Sequence, residues 1–541
     1  MRPARSATSV SVTRSSLTPL ISTPAARPCR IADAIASTAE PASRSKAAMP
    51  APPAYRDTPT PVRLRRTRNP GARCCVTLAA MSAREFDLVL WGATGYTGRL
   101  VAEYLVSTPS AQGLRWAIAG RDHEKLQRLQ EKLTGELPIV LADAHDEASL
   151  NELTRRTRVV CTAVGPYALH GSEQLVAACV RNRTHYCDIT GEVPWIRQSI
   201  DRNHETARAA GTRIVHCCGF DSVPSDLGVL MLHEAMRARG RGLSRVDAFF
   251  EKSRGHVSGG TLSSLIGVVE AMRREPAVRA LMLDPYALDP EPGCSGPDRS
   301  DGMGIRYEPR LGRWVAPFVM AAINTRVVRR SNAVAGYPYG RDFRYTEQMS
   351  APAGLKGLAV ASAVAAGTAG LLAAVRSRRL RGLVERRLPR PGGGPTAQER
   401  AAGYLVLRLL GEAAGDGPPL RLLGRVEDRR DPGYGMTAVT LGESALCLAR
   451  DDLGRPGGVL TPATAMGVRL VERLRKAGMR WEVTESARAP RRYSPRLGSP
   501  AGSWLESLPP AYEALGVGTA GVEALLTRRA TSGRSARSVG Q

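Results

Sequence analysis

Aromatic residues are scarce in this chain: only 5% of its 541 residues are Phe, Trp or Tyr. We therefore expect a hydrophobic core built mainly from aliphatic side chains and alanine. A disulfide pattern is missing as well, because the ten cysteines include no Cys-x-x-Cys pair, and Cys74–Cys75 and Cys217–Cys218 are adjacent. This arrangement indicates free thiols in a reducing compartment.

The composition suggests a nucleic-acid site and a metal site, but the sequence lacks the pattern that would support either. The formal net charge is +26, but no basic stripe is interleaved with aromatic residues, so we expect no nucleic-acid binding. The stretches His185–Cys187 and His216–Cys218 contain residue types that bind metals. Both lie at predicted strand ends, where small thiols usually belong to the core, so no metal site is predicted.

Acidic residues are nearly missing from the amino-terminal segment, residues 1–82. Thirteen basic residues accompany only Asp33, Glu40 and Asp57 there, among many Ser, Thr, Ala and Pro. The segment has no apolar stretch of the secretory type. This composition predicts an organellar transit peptide, chloroplast or mitochondrial, with a merely disordered extension as the alternative.

One stretch, Phe86–Arg99, organises the rest of the chain. Its apolar run Leu88–Trp91 is too short for a helix, and it is followed by glycines at GxxGxxG spacing and an amphipathic segment. Strand, glycine turn and helix form the first unit of a dinucleotide-binding fold, whose free backbone N–H groups bind a diphosphate. The predicted cofactor-binding residues of the turn are Gly92, Ala93, Thr94, Gly95, Tyr96, Thr97 and Gly98.

Apolar strands and amphipathic helices alternate between residues 83 and 243. Six strands are predicted, over residues 88–91, 114–119, 138–141, 159–164, 184–189 and 212–217. The fold class is therefore α/β, with a Rossmann-type doubly wound parallel sheet. The crossover rule brings the carboxyl ends of the strands to one edge. There the glycine turn meets loops that carry Asp143, Val164, Gly165 and Pro166, and together they form a ligand crevice.

The residue after the second strand decides between the two nicotinamide cofactors. NAD enzymes usually carry Asp or Glu there, to hold the ribose 2′-hydroxyl. This chain has Gly120-Arg121 instead, and a guanidinium can bind a 2′-phosphate that a carboxylate would repel. We therefore predict NADP(H), while Asp122, one residue later, leaves NAD open.

The proton donor is not given by a familiar motif. No tyrosine has a lysine four residues later, so the Tyr–Lys acid of short-chain dehydrogenases is missing. Asp221 and Ser222 precede a helix that begins near Pro224, where substrate contact and ordinary helix capping are both open. Tyr167 is the phenol nearest the crevice, and His256 lies in a glycine-rich loop; each is a candidate proton donor, with a loop residue as the alternative for His256.

Several long motifs follow one another along the chain: WGATGYTG (91–98), IAGR (118–121), AVGPYALHG (163–171), HYCDITGE (185–192), CGFDSVPSDLG (218–228), LPRPGGGP (388–395), DPGYGMTAVTLGESALCLA (431–449) and GGVLTPATAMGVRLVERLRKAGM (457–479). In these motifs the sequence resembles the saccharopine dehydrogenase-like oxidoreductases, the group that includes the bacterial trans-acting enoyl reductases. The resemblance implies a Rossmann-type domain, a second α+β domain inserted before the last elements, and often a membrane or lipid-droplet location. This chain departs from it at Gly393, where relatives often carry Glu.

The domain boundaries follow from these patterns. Residues 244–350 are expected to form the α+β substrate domain, which residues 391–484 complete. The later part has predicted strands at Leu405–Leu410, Ala438–Leu441 and Ser444–Ala449, and a helix at Ala463–Ala477. Residues 485–541 are predicted to be a disordered tail, interrupted by a weak helix over 521–528.

Residues 351–390 contain the longest uncharged run, Gly357–Val375, followed by an arginine-rich flank. Its nineteen residues just reach the length that spans a bilayer, about 20 residues. Because it is rich in Ala and Gly and its flank attracts anionic lipid, an interfacial membrane helix is favoured. A full span, or a helix packed within the protein or against a second copy in a homodimer, are the alternatives.

The sequence thus predicts an NADP(H)-dependent oxidoreductase that reduces a C=C or C=O bond in a hydrophobic or lipid-derived substrate. Hydride chemistry belongs to the cofactor, and the protein supplies orientation and a proton donor. A saccharopine-type amino-acid dehydrogenase is one alternative, although no basic set for two substrate carboxylates is evident. A non-catalytic, nucleotide-binding protein of lipid surfaces is the other.

Overall fold

The computed structural model describes residues 84–133, 136–256, 258–290, 296–299, 301–302, 304–377, 379–382, 393–415, 417–454 and 456–485. The predicted transit peptide, the carboxy-terminal tail beyond residue 485 with its helix over 521–528, and most of the arginine-rich flank lie outside these residues.

The described residues form fourteen strands and fourteen α-helices. The strands are β1 Phe86–Trp91, β2 Trp116–Gly120, β3 Ile139–Leu141, β4 Thr157–Thr162, β5 His185–Asp188, β6 Arg213–Val215, β7 Leu243–Arg254, β8 Arg306–Glu308, β9 Arg313–Pro317, β10 Arg344–Ala351, β11 Tyr404–Ala413, β12 Arg421–Asp428, β13 Gly458–Leu460 and β14 Arg480–Glu485. The helices are α1 Tyr96–Ser107, α2 His123–Leu133, α3 Glu147–Arg156, α4 Ser172–Arg181, α5 Val193–Ala209, α6 Val223–Arg237, α7 Gly259–Arg274, α8 Pro276–Leu283, α9 Ala321–Val334, α10 Gly354–Arg376, α11 Ala397–Ala401, α12 Thr437–Arg450, α13 Pro462–Ala465 and α14 Val468–Lys476.

The first sheet is parallel and doubly wound, as the alternating pattern predicts. Its strand order is β13-β6-β5-β4-β1-β2-β3, and every neighbouring pair is parallel. Helices α1, α2 and α12 pack on one face, and α3, α4 and α5 pack on the other. The order of the chain reverses at β1 and β4, so the predicted ligand crevice lies at the carboxyl ends of these strands.

The second sheet confirms the predicted α+β part. Its order is β14-β12-β11-β7-β10-β9-β8; β7 and β10 are parallel, and the other neighbouring pairs are antiparallel. Helix α6 leads from the first sheet into the second and is buried along most of its length. Its leucines share one core cluster with residues of both sheets, so the two layers pack as one body around α6.

Two predicted strands are wrong. Ala438–Leu441 and Ser444–Ala449 belong to the single helix α12, which is buried on nearly all sides. A short continuous apolar run does not distinguish a buried strand from a buried helix. At Gly442 an added Cβ would lie 2.7 Å from Cδ1 of Tyr104, which shows how closely α12 packs on α1.

The segment that follows also differs from its prediction. The helix predicted over Ala463–Ala477 is divided into α13 and α14 at Gly467, whose φ of 57° is in the left-handed region. Strand β13 joins the first sheet beside β6 and not the second. Residues 404–485 therefore serve both sheets and do not only complete the second one.

The uncharged run is helical, as predicted, and forms α10. Its inward stripe includes Ala361 and Val364, which pack on β9 and β10, and Val375, which packs on α7. An 18-residue stretch of this helix has a mean hydropathy of 2.0, and 28% of that stretch is buried. It is the one helix among the described residues that is long and apolar enough to cross a membrane.

Candidate active site

The glycine turn after β1 is shaped by close approaches that exclude side chains. Gly92 has a φ of +75°, and an added Cβ would lie 2.1 Å from Cγ2 of Val164. A Cβ on Gly98 would lie 2.3 Å from the carbonyl oxygen of Gly92. Helix α1 begins after Gly95 with no acidic residue in its first turn and no side-chain cap within the described chain. This cradle fits the diphosphate of a dinucleotide, because free N–H groups and the helix dipole both favour an anion.

The other residues of the turn are placed as a dinucleotide site requires. Thr94 and Gly95 are exposed, Thr97 is half-buried, and Ala93 is packed in the core. Tyr96 is the first residue of α1. The turn therefore offers its backbone to a ligand while its two ends are fixed by packing.

Arg121 and Asp122 follow β2 with different surroundings. Arg121 is exposed. The carboxylate of Asp122 accepts a hydrogen bond from the backbone N–H of Lys125 at 3.0 Å and pairs with the Lys125 ammonium at 2.8 Å. These contacts lower the pKa of Asp122 and engage its carboxylate with Lys125, whereas the exposed Arg121 remains the predicted partner of a 2′-phosphate.

Asp143 follows β3 and shapes its own loop. Its Oδ1 accepts the backbone N–H of His145 at 2.9 Å, and its backbone N–H donates to Oγ of Ser149 at 3.0 Å. The side chain is half-buried at the edge of the crevice. Asp143 thus orders the loop that follows β3.

Glu192 organises the loop that carries Val164, Gly165 and Pro166. Its carboxylate accepts the backbone N–H groups of Tyr167 at 2.8 Å and Ala168 at 3.1 Å. It also accepts the hydroxyl of Ser264, on α7, at 2.8 Å. Helix α7 of the second sheet is therefore fixed to the crevice edge of the first sheet. Sequence reasoning did not select Glu192, although it ends the motif HYCDITGE.

Tyr167 is buried beneath this loop. Its hydroxyl donates to the carbonyl of Thr162 at 3.2 Å and accepts the backbone N–H of Ile189 at 3.2 Å. Burial holds the pKa of Tyr167 well above its usual value. The phenol thus links two crevice loops. It could act as the predicted proton donor only if its hydrogen bonds to Thr162 and Ile189 were broken.

A buried Asp–His pair fixes the next two loops, and sequence reasoning missed it as a site element. Oδ2 of Asp188 lies 2.7 Å from Nδ1 of His216, and Nε2 of His216 lies 2.9 Å from Oγ of Ser199. Oδ1 of Asp188 accepts the backbone N–H of Cys217, which has a φ of 64°. His216 therefore serves the loop structure; within the described residues no group of three or more His, Cys, Asp or Glu is placed to hold a metal.

Asp221 lies in the segment between β6 and α6, two residues before α6 begins. The residue is half-buried, and burial of its carboxyl raises the pKa from 3.8 to about 7. No hydrogen bond to its carboxylate occurs within the described residues. A carboxyl group in such surroundings exchanges protons near neutral pH, which suits an acid–base role.

Ser222 does not cap α6 through its side chain. Its hydroxyl donates to Oδ1 of Asn324 at 2.9 Å, and Nδ2 of Asn324 donates to Oε2 of Glu347 at 3.0 Å. The hydroxyl of Tyr345 donates to the other oxygen of Glu347 at 2.6 Å. This network joins the start of α6 to α9 and β10, so Ser222 fixes the position of Asp221.

His256 lies in a corner built around Asp431. The buried Asp431 carboxylate accepts the backbone N–H groups of His256 at 2.7 Å and Tyr434 at 2.8 Å. Nδ1 of His256 is 3.5 Å from the same carboxylate. A Cβ on Gly433 would lie 2.0 Å from the His256 carbonyl oxygen, which explains a glycine in DPGYG. The structure brings His256 to this turn, and the imidazole remains partly exposed.

Comparisons with known proteins identify the family of the nucleotide-binding domain. A family profile described as the saccharopine dehydrogenase NADP binding domain matches residues 88–215. A Mycobacterium tuberculosis protein, named provisionally as a trans-acting enoyl reductase, is 43% identical over 422 residues, which cover 75% of this chain and 99% of that protein. The trans-acting enoyl reductase of Mycobacterium bovis is 40% identical over 413 residues, which cover 73% and 97% of the two chains.

Among solved structures, the apo form of saccharopine dehydrogenase (L-Glu forming) from Saccharomyces cerevisiae aligns with 74% of this chain and 99% of its own. The sequence identity is 13%, and the TM-score is 0.43.

The parallel sheet, the glycine cradle and the matching NADP-binding profile define an NADP-dependent oxidoreductase. The chain belongs to the saccharopine dehydrogenase-like oxidoreductases, together with the trans-acting enoyl reductases to which it is 40–43% identical.

Proposed function

We propose that this enzyme reduces a C=C or C=O bond of a hydrophobic, lipid-derived substrate and that Asp221 supplies the proton. The observation that carries the proposal is the Asp221 carboxyl, which lies just before α6 and whose burial raises its pKa from 3.8 to about 7. The names of the two mycobacterial relatives, which specify an enoyl reductase, support a C=C bond as the first choice.

The residues divide the work between binding and proton transfer. The Gly92–Gly98 turn and Arg121 hold NADP(H), which when bound supplies a hydride. Asp221 is largely protonated below about pH 7, so it can donate a proton to the reduced substrate. Ser222 and Asn324 keep the start of α6, and with it this carboxyl, in place.

Leu169 is in the loop that Glu192 holds at the crevice edge, and it is 70% exposed. This apolar side chain is the feature of the crevice that supports a hydrophobic substrate.

We further propose that α10 rests on a membrane or lipid-droplet surface. Its outward side consists mainly of Ala, Gly and Ser, with Leu355 exposed at one end and Arg376 and Arg379 exposed at the other. Arginines that flank an uncharged helix attract anionic lipid headgroups. Flotation of the full chain with vesicles containing anionic lipid, but not with purely zwitterionic vesicles, is the expected result; recovery of all protein below both kinds of vesicle would contradict it.

The basic residues give less support to the alternative function, a saccharopine-type amino-acid dehydrogenase that would bind two substrate carboxylates. Arg326 and Arg329, the buried arginines of α9, pair with Asp301 and Asp298 at 2.8 and 2.9 Å. The buried Arg330 donates to the carbonyls of Leu288 and Val459. These guanidinium groups are engaged in holding the loop before β8 and strand β13, and they do not offer a pair of free cations for two substrate carboxylates.

The test is a screen of enoyl and ketoacyl thioesters and lipids for NADPH oxidation, followed by Asp221→Asn. We expect this change to lower kcat at least about 100-fold, within the range of general acid catalysis, while the NADPH dissociation constant stays within about twofold. Glu234→Gln, which changes a half-buried carboxylate farther along α6 that pairs with Arg237, is the matched control. Retained turnover in Asp221→Asn would exclude this carboxyl as the proton donor, and failure of all hydrophobic substrates would reject the substrate class.

A further inference from the structure

The glycine turn of the first sheet is touched by a segment of the second domain that the cofactor prediction did not include. The hydroxyl of Tyr96 donates to the carbonyl of Pro395. A Cβ on Gly394 would lie 2.5 Å from Cζ of the Tyr96 ring. The motif LPRPGGGP thus ends directly on the residue that begins α1, which gives it a position beside the predicted diphosphate.

Arg400, on α11, lies at the centre of this contact. Its Nη1 donates to the Tyr96 hydroxyl at 2.6 Å and to the Pro395 carbonyl at 3.0 Å. The backbone is fixed as well, because the carbonyl of Arg400 accepts the N–H of Asp431 at 3.0 Å. Nε and Nη2 of Arg400 have no acceptor in the described part of the chain, although a guanidinium carries five N–H donors.

Two cations meet at the Tyr96 ring. The guanidinium carbons of Arg99 and Arg400 lie 5.1 and 5.8 Å from the centre of the same Tyr96 ring. Both cations are next to the amino-terminal end of α1, whose dipole is positive. Glu103 is 3.6 Å from Arg99, and the neighbouring Glu399 accepts the backbone and hydroxyl of Thr396 at 2.7 and 2.8 Å. Neither carboxylate pairs with Arg400.

We propose that Arg400 is a cofactor-binding residue that the second domain supplies to the diphosphate of NADP, and that Tyr96 holds its guanidinium in position. The binding site would then include both sheets, and cofactor binding would stabilise the contact between them. This inference rests on the NADP site and is independent of the substrate and of Asp221.

The test measures binding and needs no substrate. Calorimetry on the full chain compares NADPH, 2′-phospho-ADP-ribose, which keeps the diphosphate, and adenosine 2′-monophosphate, which lacks it. Arg400→Gln is expected to weaken the first two about tenfold, and to leave adenosine 2′-monophosphate within about twofold. A loss of tenfold corresponds to about 1.4 kcal/mol, within the range for one charged hydrogen bond.

Variants separate this role from a general effect on the fold. Arg400→Lys should recover part of the affinity, Tyr96→Phe should lose part of it, and Arg429→Gln, an exposed arginine before the Asp431 turn, should bind like the unchanged chain. Thermal unfolding without ligand should be the same for Arg400→Gln and Arg429→Gln. Unchanged NADPH affinity in Arg400→Gln, or equal weakening of all three ligands, would overturn the proposal.

Discussion

Tyr96 and Tyr434 meet edge to face across the two domains, with ring centres 4.8 Å apart. The first begins the helix that follows the glycine turn, and the second belongs to the turn that Asp431 holds. The hydroxyl of Tyr434 also accepts the backbone N–H of Gly259, at the start of α7, at 3.4 Å. Helix α7 and the predicted cofactor-binding turn are thus connected through two aromatic rings.

Replacing Gly98 should remove cofactor binding before it unfolds the protein. In Gly98→Ala the new Cβ would lie 2.3 Å from the Gly92 carbonyl oxygen, so turn and helix must separate. We expect NADPH affinity to fall by at least about tenfold, and overpacking to cost about 1–3 kcal/mol in the free energy of unfolding.

The matched control is Gly370→Ala on α10, where an added Cβ meets no atom within 4 Å. Calorimetry and urea unfolding measure both quantities. Normal NADPH binding by Gly98→Ala would show that the turn does not have the close packing described above.

Tyr167→Phe should affect stability more than turnover. The change removes the hydroxyl that accepts the Ile189 N–H, and a buried donor left without a partner costs about 1–3 kcal/mol. We expect this loss in urea unfolding, with kcat reduced by no more than a few fold. Tyr404→Phe, a half-exposed tyrosine on β11, is the control. A loss of turnover of 100-fold or more without destabilisation would establish Tyr167 as the proton donor.

Because Asp226 is buried, we expect the free energy of unfolding to fall as the pH rises. Its carboxylate accepts the hydroxyl of Ser331 and the backbone N–H of Ala463, and burial raises its pKa from 3.8 to about 7. The folded state therefore binds this proton more tightly than the unfolded state. The resulting stabilisation is complete below about pH 4 and is lost as the pH rises through 7.

Asp226→Asn removes this titration. The difference in the free energy of unfolding between pH 5 and pH 8 should shrink by about 2 kcal/mol. Glu234→Gln, farther along the same helix, should leave it unchanged. An equally steep pH dependence in Asp226→Asn would mean that the Asp226 carboxyl titrates normally in the folded protein.

The elements that the sequence predicts correctly are those with a local signal. Strand β1, the glycine turn and α1 follow from apolar runs and glycine spacing within fourteen residues. The two strands predicted where α12 lies are wrong. This helix is buried on nearly all sides, so apolar residues occur on every face and show no helical period. The site shows the same limit: Asp188 and His216 are 28 residues apart, and Tyr96 and Arg400 are 304 apart. Such pairs are determined by the packing of the two sheets, which no local pattern contains.

The central claim is that the crevice binds NADP and selects it through Arg121. The direct measurement is calorimetry of NADPH and NADH binding to the full chain, to Arg121→Ala, and to Arg128→Ala, an exposed arginine on α2 that serves as control. We expect NADPH to bind more tightly than NADH, and Arg121→Ala to weaken NADPH roughly 10–100-fold with little change for NADH, since one charged hydrogen-bonded contact is lost. Equal affinity for the two nucleotides in all three proteins would contradict selection by Arg121, and no binding of either would contradict the assignment of the crevice.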